Sequence, residues 1–252
     1  MKSAMIKKSR MPARLDLLQS LSGLLLALFM WLHMFFVASI LLGAEAFDRV
    51  AGMMEGSLFF EQTYPVIVTL AAMGVFALFV VHALLALRKF PASYRQYQTF
   101  HGHMKRMGHE DTTLWFVQVF TGFAMFFLGS VHLYIMMTRP DTIGAYGSAN
   151  RVVSEWMWPL YLLLLLAVEL HGSIGLYRLA VKWGFFSGRN VVESRRKLKR
   201  AKWVITVFFL TLGLASLAAF IKIGITQADH YGQPVTPPEH SMMPVQPVGV
   251  VS

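Results

Sequence analysis

The chain has 252 residues, 56% of them hydrophobic and only 14% charged, with a mean hydropathy of +0.52. That composition excludes an ordinary soluble domain, and the absence of cysteine excludes disulfides, iron–sulfur clusters and thiolate metal sites within the chain. The formal net charge of +10 is a surplus that nucleic acid would attract, but its distribution along the chain points elsewhere.

A basic arm, residues 1–16, opens the chain. It contains "KKSR" and leads into an apolar run at 17–42. With "AEA" just beyond, this start resembles a secretory signal. Its apolar run, however, is about twice the usual 7–15-residue core of such signals, which predicts a retained helix. Further segments at 65–87, 113–137, 155–181 and 203–225 also reach the roughly 20 residues that a helix needs to cross a bilayer core. The expected fold is therefore an all-α membrane protein whose five-helix domain spans 17–225. A Pro-rich tail at 226–252, containing "QPVTPPEHSMMPVQPVGVVS", has no helical period and is expected to be extended. No internal repeat is evident beyond the recurrence of His within the helices.

Nineteen of the 23 Lys and Arg residues lie in the N-terminal arm, the 88–112 loop and the 178–202 segment. The positive-inside rule then puts the N-terminus in the cytoplasm and the C-terminus outside. These clusters act as topology signals and offer a surface for a cytoplasmic partner, with no need for nucleic acid.

Four of the nine histidines, His33, His82, His132 and His171, sit one in each of the first four apolar segments. Intramembrane ionisable groups are rare and usually functional. With helices alternating in direction, His33 and His132 fall on the outer side and His82 and His171 on the cytoplasmic side, about 15 Å apart along the membrane normal. Two imidazoles at one depth on facing helices suit a bis-histidine haem iron. Zinc is the rival, but two imidazoles without carboxylates or thiolates leave its shell incomplete. Small residues give a porphyrin room. Ser22 shares the azimuth of His33, while Gly23 is turned away by about 80°. Gly129, Ala86 and Gly175 lie one turn from His132, His82 and His171. The remaining histidines lie in the polar loop "HGHMKRMGHED" (His101, His103, His109) and in the tail (His230, His240), where a metal site lacks further ligands.

The stretches "KKSRMPARLD", "HMFFVASILLG", "RKFPASYRQY", "DTTLWFVQVFTGFAMFFLGSVHLYIMMTRPDTIG" and "VSEWMWPLYLLLLLAVELHGSIGLYRLAVKWG" resemble the dihaem cytochrome b membrane subunit of quinol:fumarate reductases, in the succinate:quinone oxidoreductase superfamily. The likeness covers about 7–184; the 44–64 loop, the fifth helix and the tail match poorly. It implies two stacked b haems in the bundle of the first four helices, one held by His82 and His171 and the other by His33 and His132. It also implies an electron-transport subunit of the bacterial inner membrane that oxidises menaquinol from the quinone pool near the outer face. Electrons would then pass to an iron–sulfur subunit and a flavoprotein subunit on the cytoplasmic side, in a dimer of heterotrimers. The same likeness implies propionate partners at Gln19, Ser20, Trp115 and Lys182 on the cytoplasmic side and at Arg151 on the outer side.

Two carboxylates carry the proton chemistry that this resemblance implies. Counting back from "PVIV" places the quinol-site glutamate at Glu55, with Glu61 and Glu45 as alternatives; a carboxylate in reach of a quinol hydroxyl acts as general base. Glu169, two residues before His171, projects about 200° away from it, toward another helix or a wet channel. Burial there favours the neutral acid. The plain reading is a protonated Glu bonded to a neighbouring Ser or carbonyl, and the functional reading is a proton carrier. Competing accounts of the whole chain are the same subunit in a succinate dehydrogenase that reduces quinone, a haem-free anchor, and a proton-translocating membrane protein.

Overall fold

The computed structural model describes residues 9–90, 93–107 and 110–227. The Pro-rich tail, with His230 and His240, and His109 lie outside them. Among the described residues the secondary structure is helical, without strands. Helix α1 (Met11–Ala38) ends in a 3₁₀ turn at Ser39–Leu42 and reverses at Gly43, whose φ of 115° suits glycine. Then follow α2 (Ala44–Met54), α3 (Pro65–Leu87), α4 (Tyr94–Met107), α5 (Glu110–Thr138), α6 (Ala145–Val153), α7 (Trp158–Trp183) and α8 (Val191–Gln227). Pro12, Pro65 and Pro159 stand in the first turns of α1, α3 and α7, where the missing N–H is not needed.

Five helices are long and apolar enough to cross a membrane: Met11–Leu42, Pro65–Leu87, Glu110–Thr138, Trp158–Trp183 and Val191–Gln227. The fourth starts at Trp158 rather than 155 because Trp156 takes a left-handed φ of 55° and Pro159 sets the new start. The fifth starts twelve residues earlier than hydropathy alone marks, since its first turns are basic. At 37 residues it is about 55 Å long and outreaches a bilayer core. The short helices α2, α4 and α6 fall in segments that an apolar-run search passes over, because polar residues interrupt each of them.

The bundle has a cyclic order. Helix α1 packs on α3, α3 on α5, α5 on α7, and α7 returns to α1; α8 lies outside, against α7, α6 and α1. One end, the basic end, is formed by the start of α1, the end of α3, the start of α5 and the end of α7 and carries the Lys and Arg clusters. At the opposite end α2 and α6 close over α8 around Ile40, Phe47, Ala149, Val152 and Phe220. Glycine permits the closest of these approaches: a Cβ on Gly224 would lie 2.9 Å from the Ala149 carbonyl oxygen. Large apolar side chains such as Leu32, Leu70, Phe120, Phe127 and Val204 point outward and are exposed, as a lipid-facing surface requires.

The interior is tied by a few polar contacts at the two ends. At the basic end Asp16 pairs with Arg88 (2.7 Å), Lys89 (3.1 Å) and Lys182 (3.5 Å), joining α1, α3 and α7. Tyr177 donates to Asp111 (3.0 Å), and Lys199 bridges Glu110 and Asp111. At the opposite end the Ala145 N–H donates to Asp48 (2.7 Å), and so Asp48 caps α6 from α2.

Candidate functional site

The four intramembrane histidines meet in two pairs. His33 of α1 faces His132 of α5, with ring centroids 6.0 Å apart. His82 of α3 faces His171 of α7 at 6.5 Å. Both pairs join helices that are diagonal in the cyclic order, so each meeting point lies on the bundle axis. A metal held by both imidazoles, with bonds of about 2 Å, puts the ring centroids roughly 6.3 Å apart. Both separations fit that value, and the residues present therefore suit two bis-imidazole sites. Among the described residues no three His, Cys, Asp or Glu side chains converge on one point; two-ligand sites do not require it, because a porphyrin brings its own four nitrogens.

Each pair has its own surroundings. His171 Nδ1 donates to the Gln118 carbonyl (2.8 Å). A carbonyl only accepts, so the ring proton sits on Nδ1 and Nε2 is left free as a ligand. His82 Nδ1 lies 3.0 Å from Ser22 Oγ, and Ser22 donates in turn to the Gln19 carbonyl (3.1 Å). Ser22 therefore accepts from His82, which again frees Nε2. At the opposite end His33 stacks on Phe29 (5.8 Å) and His132 meets the Tyr161 ring edge-on (5.7 Å). His132 Nδ1 is buried without a hydrogen-bond partner among the described residues.

Two expectations about space are corrected. Ser22 shares the azimuth of His33 but lies eleven residues, about 16 Å, away along the helix, and its partner is His82. Gly129 leaves space beside it: a Cβ there would meet Leu164 at 3.9 Å and Phe79 at 4.0 Å, both ordinary contacts, and not His132. Gly23, expected to point away, lies against His82. Gly175 makes room for Gln118, whose Nε2 would stand 3.0 Å from a Cβ there. Sequence reading missed Gln118 and Gly122 altogether.

The remaining predicted site residues fall at the two ends. Ser20 Oγ accepts from Lys182 Nζ (3.3 Å), and the Gln19 side-chain oxygen is buried without a partner among the described residues. Trp115 packs edge-on to Phe116. Gln19 and Ser20 of α1, Trp115 of α5 and Lys182 of α7 all lie in the basic-end turns of their helices. Arg151, only 4% exposed, donates to the carbonyl and hydroxyl of Thr142 at the opposite end. Of the three outer-loop glutamates, Glu45 is exposed and paired with Arg49 (2.7 Å), Glu61 is exposed, and Glu55 is half-buried at the end of α2.

Glu169 is fully buried at 0% exposure, and neither carboxyl oxygen has a hydrogen-bond partner among the described residues. It lies one turn from Leu165, which packs against Met34 of α1 and Gly213 of α8, whereas His171 faces α3 and α5. Their opposed directions agree with the spacing. Among the described residues, the Ser or carbonyl partner of the plain structural reading is not there.

A helical membrane bundle with paired internal histidines defines a class of electron-transfer anchor, and sequence comparison defines its family. Residues 94–212 match the succinate dehydrogenase/fumarate reductase transmembrane subunit family. The chain is 57% identical over 223 residues, 88% of its length and 87% of the relative's, to the fumarate reductase cytochrome b subunit of Wolinella succinogenes. It is 54% identical over 225 residues, 89% of its length and 87% of the relative's, to the subunit of the same name from Helicobacter pylori. The chain therefore belongs to the succinate dehydrogenase/fumarate reductase transmembrane subunit family.

Proposed function

We propose that this chain is the dihaem, quinol-oxidising membrane subunit of a fumarate reductase. The observation that carries this reading is the meeting of four histidines in two diagonal pairs at the ring separation of bis-imidazole ligation. His82 and His171 would hold one b haem, with Gln19, Ser20, Trp115 and Lys182 toward its propionates. His33 and His132 would hold the other, with Arg151 as the buried cation beside it. When bound, haem supplies a one-electron carrier at each site. The chain's own work is to hold the imidazoles, exclude water and place the proton groups.

The basic end faces the cytoplasm in this reading, by the positive-inside rule, and there the chain would meet an iron–sulfur subunit and a flavoprotein subunit. Menaquinol would be oxidised at the opposite end. The half-buried position of Glu55 supports it, over Glu45 and Glu61, as the base that accepts a quinol proton. Glu169, buried and without a hydrogen-bond partner among the described residues, would carry a proton toward the basic end. Each electron that moves inward against an inside-negative potential costs about 2.3 kcal/mol per 100 mV, and a proton moving alongside cancels that cost.

The test is the complex in its membrane, reduced by a menaquinol analogue. A b-type α-band that fumarate then bleaches supports the reading, and absence of any b-type band contradicts it. Glu169→Gln is expected to keep both haems and lower quinol-driven fumarate reduction at least about 100-fold, the scale of a positioned proton transfer. Turnover driven by a water-soluble dye that bypasses quinol should be unchanged.

A further inference from the structure

Helices α1 and α5 contain a shared pattern that hydropathy hides. "QSLSGLLLALFMWLH" (19–33) and "QVFTGFAMFFLGSVH" (118–132) agree in Gln, a Ser or Thr three residues on, Gly four residues on, and His ten residues after the Gly. Gln19, Gly23 and His33 recur 99 residues later as Gln118, Gly122 and His132. Each pattern ends in one histidine of the opposite-end pair. Each also begins where a histidine of the basic-end pair arrives from the neighbouring helix, His82 at Gly23 and His171 at Gly122. The two levels are thus ten residues apart on both helices, about 15 Å.

The contacts at the two starts match atom for atom. A Cβ on Gly23 would lie 2.8 Å from Cε1 and 3.4 Å from Nδ1 of His82. A Cβ on Gly122 would lie 2.9 Å from Cε1 and 3.2 Å from Nδ1 of His171. The same edge of each ring lies on a bare glycine. It reaches the carbonyl four residues earlier, that of Gln19 through Ser22 and that of Gln118 directly. That carbonyl is one turn back on the same helix face, so a side chain at the glycine would block the ring's path to it. Ser22 and Thr121, 5% and 6% exposed, both bond back to the glutamine carbonyl of their own pattern.

We propose that Gln19–Gly23 and Gln118–Gly122 are two matched imidazole seats. The glycine admits the ring edge, and the glutamine carbonyl fixes the proton on Nδ1. Gly23, Gly122 and Ser22 are therefore positioning residues for haem binding at the basic-end pair alone. This rests on the proposed bis-histidine haem sites. A seat of this kind orients the ligand before the cofactor arrives and makes its free nitrogen a better donor.

The experiment uses the purified complex carrying Gly23→Ala, Gly122→Ala or Gly74→Ala. The last adds the same methyl to an exposed position of α3 with nothing within 4 Å. Either seat variant should weaken haem retention at the basic-end pair about 10- to 100-fold, as other ligand-orienting partners do. The opposite-end haem should keep its low-spin EPR signal, and Gly74→Ala should keep both. A wild-type complex without haem contradicts the bis-histidine reading itself. Two haems retained with unchanged EPR signals in both seat variants, or equal loss from both sites, overturns the seats alone. If a seat variant does not assemble, Ser22→Ala, which adds no atom, decides. The midpoint potential of the basic-end haem should rise while the other stays fixed, and movement of neither or of both overturns the proposal.

Discussion

At the basic end, His82 and His171 each rest an imidazole edge on a glycine and pass the Nδ1 proton toward main-chain acceptors on the next helix, His82 through Ser22 and His171 directly. At the opposite end, His33 lies on Phe29 and His132 against Tyr161, and His132 Nδ1 has no hydrogen-bond partner among the described residues. The same residue type, one to a helix in one four-helix bundle, is thus held by hydrogen bonds at one level and by ring packing at the other. Hydrogen bonds fix a tautomer and a direction, whereas aromatic contacts restrict the ring plane and leave the tautomer open. The basic-end pair is oriented by the chain's hydrogen bonds; the opposite-end pair leans on the Phe29 and Tyr161 rings.

The largest expected effect on this contrast comes from Arg151→Gln. It leaves the Thr142 carbonyl and hydroxyl without their charged donor, at about 1.5–3 kcal/mol per such bond. Haem loss should be confined to the opposite end, and thermal unfolding of the complex, followed with haem content, checks it. Phe29→Ala is next. It removes the stack on His33, worth about 0.5–1.5 kcal/mol, and should broaden the EPR signal of the opposite-end haem without moving the other. Asp16→Asn is the smallest. Its partners are about a third or more exposed, and pairs of that kind contribute roughly 0–1 kcal/mol. Its effect on thermal stability should vanish at 1 M salt, where the screening length is about 3 Å.

Much of this arrangement is legible in the sequence. Apolar runs mark all five crossings, because lipid demands continuous hydrophobic helix. Depth counting along alternating helices sorts the four histidines into the pairs that the side chains form. Glu169 is separable from His171 by spacing alone. The seats are not legible in that way. A glycine's azimuth relative to a histidine on its own helix says nothing of a histidine arriving from the next helix, which is why azimuth alone matches Ser22 to His33 and sets Gly23 aside. Four agreeing positions in fifteen, two of them small residue types common in membrane helices, carry little signal until the side chains show them doing the same thing. The short helices α2, α4 and α6 are hidden for a different reason. Their stability comes from one apolar face and their local contacts, not from a run of apolar residues.

Each imidazole pair is proposed to hold one haem, and counting haem in the intact complex decides it. Haem per copy of this chain is measured by the pyridine haemochrome spectrum for the wild type, His82→Ala and His132→Ala. Two, one and one are expected, with a different EPR signal missing in each variant. One haem or none in the wild type, or loss of the same signal in both variants, contradicts it.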